Sequence, residues 1–297
     1  MTASLLDLVR TRTVLFDGAM GTELMARGLG PGVPPELWNA ERPDVVREVH
    51  AAYFAAGSDV VSTNSFGGTP LKLAAHGLEG RAFELDRAAA RLAREAAPAG
   101  RSVAGSMGPT GRFLKPQGPA TEEELVAAYA EQARALADGG VDVFLIETQY
   151  DLREALAALR GAQSVSPLPV FVTMTFNSFP RGYFTLMGDS AAKSAAALEK
   201  AGASAVGANC TLTSEQMVGC VSALRAATSL PVIAQANAGQ PVALAEGTVG
   251  YSQTLEDYVR FVPGIVGAGA GFVGGCCGTT PATIRAMARA IRGEDKT

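Results

Sequence analysis

Three of the four cysteines in this sequence have a spacing that suits a metal site. Cys276 and Cys277 are adjacent within GGCCGTTP, and Cys210 ends the segment GANC. Adjacent cysteines close a strained disulfide ring, so the pair is interpreted as part of a metal site, half of a longer-range disulfide, or buried free thiols. Three thiolates suit Zn²⁺, and three protein ligands with one open position are typical of catalytic zinc. Cys220 lies among apolar residues at helical spacing and is predicted to be a packing residue.

The composition indicates which cellular compartment and which classes of binding partner to expect. The net charge of −4 gives no general attraction for nucleic acid or for anionic membranes. The first residues include Asp7 and two arginines and therefore lack a signal-peptide core. No apolar run approaches the ~18 residues that span a bilayer. We therefore expect a cytoplasmic protein whose cysteines stay reduced, which disfavours a disulfide.

Eight short apolar runs, rich in β-branched residues, recur at fairly even intervals. They are TVLFDGA (13–19), DVVSTNSF (59–66), RSVAGSMGP (101–109), VDVFLIET (141–148), PVFVTMTF (169–176), SAVGANC (204–210), PVIAQAN (231–237) and GFVGGCC (271–277). Nearly continuous apolar character is typical of parallel strands that helices cover on the outside.

Helical patterns separate these runs. Thr121 with Glu124, and Thr213 with Gln216, form capping boxes before Ala-rich helical segments, and Thr280 precedes a helix that starts with proline. Eight strand–helix units without a linker predict one (β/α)₈ TIM barrel, a single α/β domain over residues 1–297. A doubly wound open sheet is the alternative. A barrel places its active site at the C-terminal ends of the strands.

With the exception of Gly108, the residues at those predicted strand ends carry polar or thiol side chains. They are Asp17, Asn64, Gly108, Glu147, Thr148, Asn177, Asn209, Cys210, Asn237, Cys276 and Cys277. Side chains alternate along a strand, so adjacent cysteines would normally point apart. We expect the glycines at 274, 275 and 278 to permit a backbone distortion that turns both thiols inward.

Seven segments resemble the homocysteine S-methyltransferase family. They are FDGAMGTEL (16–24), TNSFGGTPLKL (63–73), GSMGPTGRFLKPQG (105–118), IETQYDLREA (146–155), GANC (207–210), QANAG (235–239) and GGCCGTTPATI (274–284). The likeness runs from about residue 12 to 291 and is strongest to the homocysteine-binding barrel of cobalamin-dependent methionine synthases.

The resemblance implies specific roles for these residues. Cys210, Cys276 and Cys277 would bind one Zn²⁺, and the sulfur of homocysteine would take the fourth position. Asp17 and Glu147 would hold the α-amino group of the substrate, and backbone amides near the first strand would hold its carboxylate.

Gly18, Asn64 and Asn237 complete the substrate site that we predict. No protein group would act as general acid or covalent nucleophile, because zinc would ionise the substrate thiol, which then attacks the methyl group and gives methionine. His50 and His76 are interpreted as bystanders.

The methyl donor is the open question. The first hypothesis is a methylated corrinoid such as methylcobalamin, free or carried by a partner protein in trans. The alternatives are a sulfonium donor such as S-methylmethionine, or a noncatalytic zinc-binding or thiol-binding subunit of a larger complex. NCTLTSEQM (209–217) departs from the family pattern after the cysteine, and the chain lacks an Asp-x-His-x-x-Gly cobalamin signature. We expect separate folate and corrinoid modules to be needed for a complete cycle.

Overall fold

The computed structural model describes residues 4–243 and 249–293. The barrel strands are Val14–Leu15 (β1), Val60–Ser62 (β2), Ser102–Met107 (β3), Val143–Gln149 (β4), Val170–Met174 (β5), Ala205–Thr213 (β8), Val232–Asn237 (β9) and Ala270–Gly275 (β12). Two hairpins are formed by Asn177–Phe179 (β6) with Gly182–Phe184 (β7), and by Pro241–Ala243 (β10) with Val249–Tyr251 (β11). The single-domain prediction also covers residues 1–3, 244–248 and 294–297, which lie outside the described residues.

Helices follow most of the barrel strands. They are Leu5–Leu8 (α1), Met20–Ala26 (α2), Trp38–Glu41 (α3), Pro43–Ala56 (α4), Pro70–Leu73 (α5), Ala82–Ala96 (α6), Glu122–Gly139 (α7), Leu152–Gln163 (α8), Ala191–Lys200 (α9), Ser214–Arg225 (α10), Leu255–Arg260 (α11), Val262–Gly267 (α12) and Pro281–Arg292 (α13). Short 3₁₀ turns span Pro35–Leu37, Ala74–His76 and Glu79–Arg81. The capping boxes predicted at Thr121 and Thr213 are present, and Thr280 forms a third before α13.

The barrel strands are all parallel and lie in the order β1-β12-β9-β8-β5-β4-β3-β2. Strands that follow one another in the barrel are neighbours throughout, whereas a doubly wound sheet reverses its order at a switch point. The predicted TIM-barrel fold class is therefore confirmed, and the open-sheet alternative is wrong. In the described part of the chain, no helix has the length and apolarity needed to cross a bilayer.

The barrel is nearly closed, and an aspartate on each side joins its two end strands. The backbone N–H of Asp59 donates to Leu15 O at 2.7 Å, and Asp59 Oδ2 accepts from Leu15 N at 3.0 Å. Nearer the C-terminal end, Asp17 Oδ2 accepts from Ser62 N at 2.7 Å. Arg12 pairs with the carboxylate of Asp59 from outside at 2.7 Å. Carboxylates therefore take the place of a regular ladder between β1 and β2.

The interior of the barrel changes from apolar to polar along the strands. Its lower part is filled by Leu5, Val14, Phe16, Val60, Ala104, Val143, Leu145, Phe171, Ala205, Ile233 and Phe272. Leu5 belongs to α1, which therefore closes the N-terminal end of the barrel. Side chains two residues farther along share the same face of a strand, so Glu147 follows Leu145 and Gln235 follows Ile233 into the interior. The sequence therefore builds an apolar floor under a polar upper layer.

The two hairpins were not predicted from the sequence. The first leaves the barrel after β5 and contains Asn177, which therefore lies in a hairpin and not at the end of a barrel strand. Its turn includes Gly182 at φ 116°, a conformation that favours glycine. Tyr183 anchors the hairpin through a hydrogen bond from its hydroxyl to Gln216 O at 3.1 Å.

Candidate metal and substrate site

A cavity of about 480 Å³ opens at the C-terminal ends of the barrel strands. Seven of the eight predicted site residues lie on its wall: Asp17, Gly18, Asn64, Glu147, Cys210, Cys276 and Cys277. Asn237 is buried beside this group and is not part of the wall. The barrel therefore brings the predicted metal and substrate residues into one place.

The three cysteines form a compact cluster of sulfur atoms. The sulfurs of Cys210, Cys276 and Cys277 all lie within 4.8 Å of one another, and Cys210 Sγ is 3.9 Å from Cys277 Sγ. All four cysteines are free, so the disulfide alternative is wrong. Cys220 lies in α10 with its side chain fully buried, as expected for a packing residue.

Cys210 reaches the cavity because its backbone leaves the regular strand conformation. Asn209 points into the barrel, so the next residue of a regular strand would face the outer helices. Cys210 has φ 64° and Thr211 has φ 59°, both in the left-handed region. Such a conformation costs a non-glycine residue on the order of 1–3 kcal/mol and is common at functional sites. Thr148, at φ 59°, shows the same distortion on β4.

Cys276 and Cys277 follow β12, which ends one residue before them. Cys276 N still donates to Ala236 O at 2.8 Å, and its carbonyl accepts from Thr279 N at 3.1 Å. Cys277 then enters a turn with Gly278, whose φ of 80° favours glycine. Side-chain alternation ends with the strand, so the two adjacent thiols can face the same cavity.

The prediction for the glycines is correct only at Gly278. Gly274 and Gly275 lie in β12 without left-handed backbone. They are needed for space, since a Cβ on Gly274 would lie 2.6 Å from Phe16 Cβ, and one on Gly275 would overlap Thr279.

Asn209 connects the metal-site residues with the acidic side of the cavity. Its Nδ2 donates to Glu147 Oε2 at 3.2 Å, to Thr148 Oγ1 at 2.7 Å and to Cys276 Sγ at 3.7 Å. Its Oδ1 accepts from Thr148 N and from Thr173 Oγ1, each at 2.7 Å. This fully buried amide therefore fixes both the carboxylate and the distorted backbone of β4.

The two predicted acids, a buried Asp17 and a half-buried Glu147, have no cation partner among the described residues. Burial raises the pKa of Glu147 to about 7, although a hydrogen bond from Ser106 Oγ opposes the rise. Burial likewise raises the pKa of Asp17 to about 8, against hydrogen bonds from the N–H and hydroxyl of Ser62. A cationic ligand group placed between them would favour the ionised form of both.

The remaining predicted residues have specific contacts. Asn64 Nδ2 donates to Pro35 O at 2.7 Å and to Asn39 Oδ1 at 2.9 Å, so both of its N–H groups hold the cavity wall together. Asn237 hydrogen-bonds to Cys210, and Asn237 Oδ1 is buried without a partner among the described residues.

The position of Gly18 has no space for a side chain. A Cβ at this position would lie 2.7 Å from Thr279 Oγ1 and 3.0 Å from Tyr53.

The three thiols change one another's pKa values through their contacts. Hydrogen bonds from Cys276 and Cys277 hold the pKa of Cys210 well below its usual range. The same contacts with Cys210 raise the pKa of Cys276. The contacts within the cluster therefore favour the thiolate form of Cys210 over that of Cys276.

Sequence reasoning missed several residues of the site. Ser62 and Ser106 hydrogen-bond to the two acids. Each lies two residues before a predicted strand-end residue, Asn64 or Gly108, so side-chain parity could have identified them. Tyr251, which hydrogen-bonds to Cys277, lies in an unpredicted hairpin and had no sequence signal.

The histidines are placed differently from each other. His50 is fully buried on α4, away from the cavity, and burial lowers its pKa to about 3. His76 lies on the outer wall of the cavity.

Comparisons with known proteins agree with this geometry. The curated relatives include methionine synthases from Mycobacterium tuberculosis, 34% identical over 97% of this chain, and from Mycobacterium leprae, 33% identical over 97%. The chain spans 25% of the length of each relative. Among solved structures, the metallated form of the homocysteine methyltransferase MmuM from Escherichia coli matches with a TM-score of 0.78 and 29% identity, over 94% of this chain and 96% of that one.

A more distant structural match shows the fold alone. The carboxyl transferase domain of Rhizobium etli pyruvate carboxylase aligns with a TM-score of 0.53 at 16% identity. The family model described as homocysteine S-methyltransferase, in contrast, matches residues 14–291. The three cysteines, the acids and the barrel that positions them lie within this match, and the chain belongs to the homocysteine S-methyltransferase family.

Proposed function

We propose that the protein is a zinc-dependent homocysteine S-methyltransferase that forms methionine with a methylated corrinoid as donor. The observation that carries the proposal is the cluster of three free thiols in the same cavity as Glu147 and Asp17. Free thiols persist in a reducing compartment, which supports a cytoplasmic location.

The thiol cluster fits a zinc ion. Two sulfurs bound to zinc at ~2.3 Å with tetrahedral angles lie about 3.8 Å apart, and Cys210 Sγ and Cys277 Sγ are 3.9 Å apart. Three cysteines leave one coordination position for a substrate sulfur. Cys210, Cys276 and Cys277 would therefore hold the metal, whose chemistry is to lower the pKa of a bound thiol so that it is a nucleophile at neutral pH.

The acids would orient the amino acid. The ammonium group of homocysteine is the cation that Glu147 and Asp17 lack in the described structure, and pairing with it would offset their burial. Ser106 and Ser62 hold the two carboxyl groups in place through hydrogen bonds. Asn209 donates to both Glu147 and Cys276 and so fixes the position of the carboxylate relative to the sulfur. The protein groups would thus align the substrate thiol with the open side of the cavity, where the methyl donor arrives.

A corrinoid donor is consistent with the relatives. A corrin macrocycle is far larger than homocysteine, so we infer that it stays at the mouth and presents only its methyl group to the thiol. The homology to methionine synthases, with the resemblance of the sequence to the barrel of the cobalamin-dependent ones, supports this donor, either free or carried by a partner protein.

A sulfonium donor is the second candidate, favoured by one feature of the cavity. Phe66 lies on the wall with its side chain partly exposed, and an aromatic face binds organic cations. The volume of about 480 Å³ has room for a small donor beside homocysteine.

A donor panel tests the proposal. The zinc-loaded protein is incubated with homocysteine and methylcobalamin, S-methylmethionine or S-adenosylmethionine, and methionine is measured. We expect methylcobalamin to give the highest initial rate and Cys277→Ser to abolish that rate. Faster transfer from a sulfonium would establish the second candidate. No transfer from any donor, by protein that binds zinc and homocysteine, would favour a noncatalytic binding subunit.

A further inference from the structure

A buried acid–amide pair lies behind the cavity wall, outside the site described above. Asp86 on α6 and Gln132 on α7 are both fully buried. They contact the loop of residues 63–69 that connects β2 to α5. Gln132 Nε2 donates to Ser65 O of that loop at 2.7 Å, and to Asp86 Oδ1 at 3.4 Å.

Each side chain of this pair has one oxygen atom without a hydrogen-bond donor among the described residues. Among the described residues, Asp86 Oδ2 and Gln132 Oε1 have no partner, although both are buried. Two acceptors cannot satisfy each other, and a buried unsatisfied polar atom costs about 1–3 kcal/mol. Flipping the Gln132 amide would not help, because it would place the amide oxygen against Ser65 O, another acceptor, at 2.7 Å. One proton on Asp86 Oδ2 would supply a donor to a pair that otherwise leaves two acceptors unsatisfied.

We propose that Asp86 is a neutral carboxylic acid that donates to Gln132, and that this pair positions the loop forming one wall of the substrate cavity. Asp86 is therefore a positioning residue that touches neither substrate nor metal.

The surroundings of Asp86 support the neutral form. Burial raises its pKa well above the usual value, and the charged groups that act on it further, Glu36 from the cavity wall and Glu131 on α7, have the same sign. Gly68 provides the space, since a Cβ there would overlap Asp86 Oδ1. The carboxyl group is therefore packed directly against the backbone of the loop.

The loop connects this pair to the substrate site. Asn64, Phe66 and Gly67 belong to it and line the cavity. Gly68 N donates to Ser65 O at 3.0 Å, so the carbonyl that Gln132 holds also closes the turn of the loop. The expected effect on homocysteine rests on the proposed function, whereas the protonation state of Asp86 can be tested without it.

The pH dependence of stability tests protonation. Asp86 keeps its proton in the folded state, and the unfolded chain loses it above a pKa of ~3.9. Stability from this group is therefore present at low pH and is lost as pH rises. Relative to Asp86→Asn, the unfolding equilibrium constant of the wild type should increase about tenfold per pH unit above pH 5, until the pH reaches the folded-state pKa of Asp86. Asp44→Asn, at an exposed position, should follow the wild type. Parallel curves for wild type and Asp86→Asn would overturn the neutral acid.

Homocysteine affinity tests positioning. Asparagine retains both a donor and an acceptor for Gln132, whereas alanine retains neither. We expect Asp86→Ala to raise the Kd for homocysteine about tenfold with zinc content unchanged, and Asp86→Asn to restore wild-type affinity. Equal Kd values in folded Asp86→Ala and wild type would show that the pair does not position the loop. If the wild type itself binds no homocysteine, the proposed function fails, and the pH test still decides the state of Asp86.

Discussion

Replacing any one of Cys210, Cys276 or Cys277 by serine is expected to remove zinc and methyl transfer together. The three sulfurs lie within 4.8 Å of one another, and the 3.9 Å between Cys210 Sγ and Cys277 Sγ is close to the separation that tetrahedral zinc requires. A neutral hydroxyl is a much weaker ligand than a thiolate. Loss of an outer-shell partner lowers metal affinity about 10–100-fold, and we expect loss of a ligand to cost more. Metal analysis of purified variants and methionine formation measure the two effects.

Cys220→Ser is the matched control for these variants. Cys220 is fully buried in α10, away from the cavity, so its replacement changes packing and leaves the metal ligands intact. We expect this variant to bind one zinc per chain. Full zinc content in all three ligand variants would contradict the site.

Glu147→Gln is expected to weaken homocysteine binding about 10–100-fold while zinc remains bound. The substitution keeps the shape of the side chain and removes the charge that would pair with the substrate ammonium. A hydrogen bond to a charged group contributes about 1.5–3 kcal/mol, which converts to this range at 1.36 kcal/mol per tenfold change. Asp17→Asn should also weaken homocysteine binding. It should in addition weaken the contact between β1 and β2, where Asp17 accepts a hydrogen bond from Ser62 N. Calorimetric titration with homocysteine gives the affinities.

Glu154→Gln controls for the loss of a buried carboxyl as such. Glu154 is buried and accepts hydrogen bonds from Thr110 and Tyr129, but it does not line the cavity. We expect its homocysteine affinity to equal that of the wild type. Unchanged affinity in both Glu147→Gln and Asp17→Asn would mean that other groups hold the ammonium.

The barrel could be predicted because its strands are buried on both sides. Continuous apolar runs such as VDVFLIET identify such strands without knowledge of their neighbours. The β6–β7 hairpin gave no comparable signal, since Asn177–Phe179 is short and partly exposed. Its position depends on tertiary contacts such as the one between Tyr183 and Gln216.

The site residues could be predicted where their residue types are rare at strand ends. They could not be predicted where the residue type is common and its role depends on its contacts in the folded structure. Three cysteines and two acids at strand ends were visible as unusual residue types. Ser106 and Asn209 are ordinary polar residues, and their roles follow from which carboxylate or sulfur they contact. The left-handed backbone at Cys210 could not be predicted, because no glycine marks it.

The central claim is that the substrate thiol loses its proton when homocysteine binds beside the three cysteines. A free thiol has a pKa of about 8.5 and is mostly protonated at pH 7. Calorimetry of homocysteine binding in buffers of different ionisation enthalpy counts the protons released.

Glu147 and Asp17 can also change protonation on binding, so the proton count of the zinc-free protein is subtracted as the reference. The difference between the two forms therefore counts the thiol proton, and Glu147→Gln should leave that difference unchanged. We predict a difference close to one proton at pH 7. A difference near zero, with zinc and homocysteine both bound, would show that the thiol stays protonated and would contradict the account.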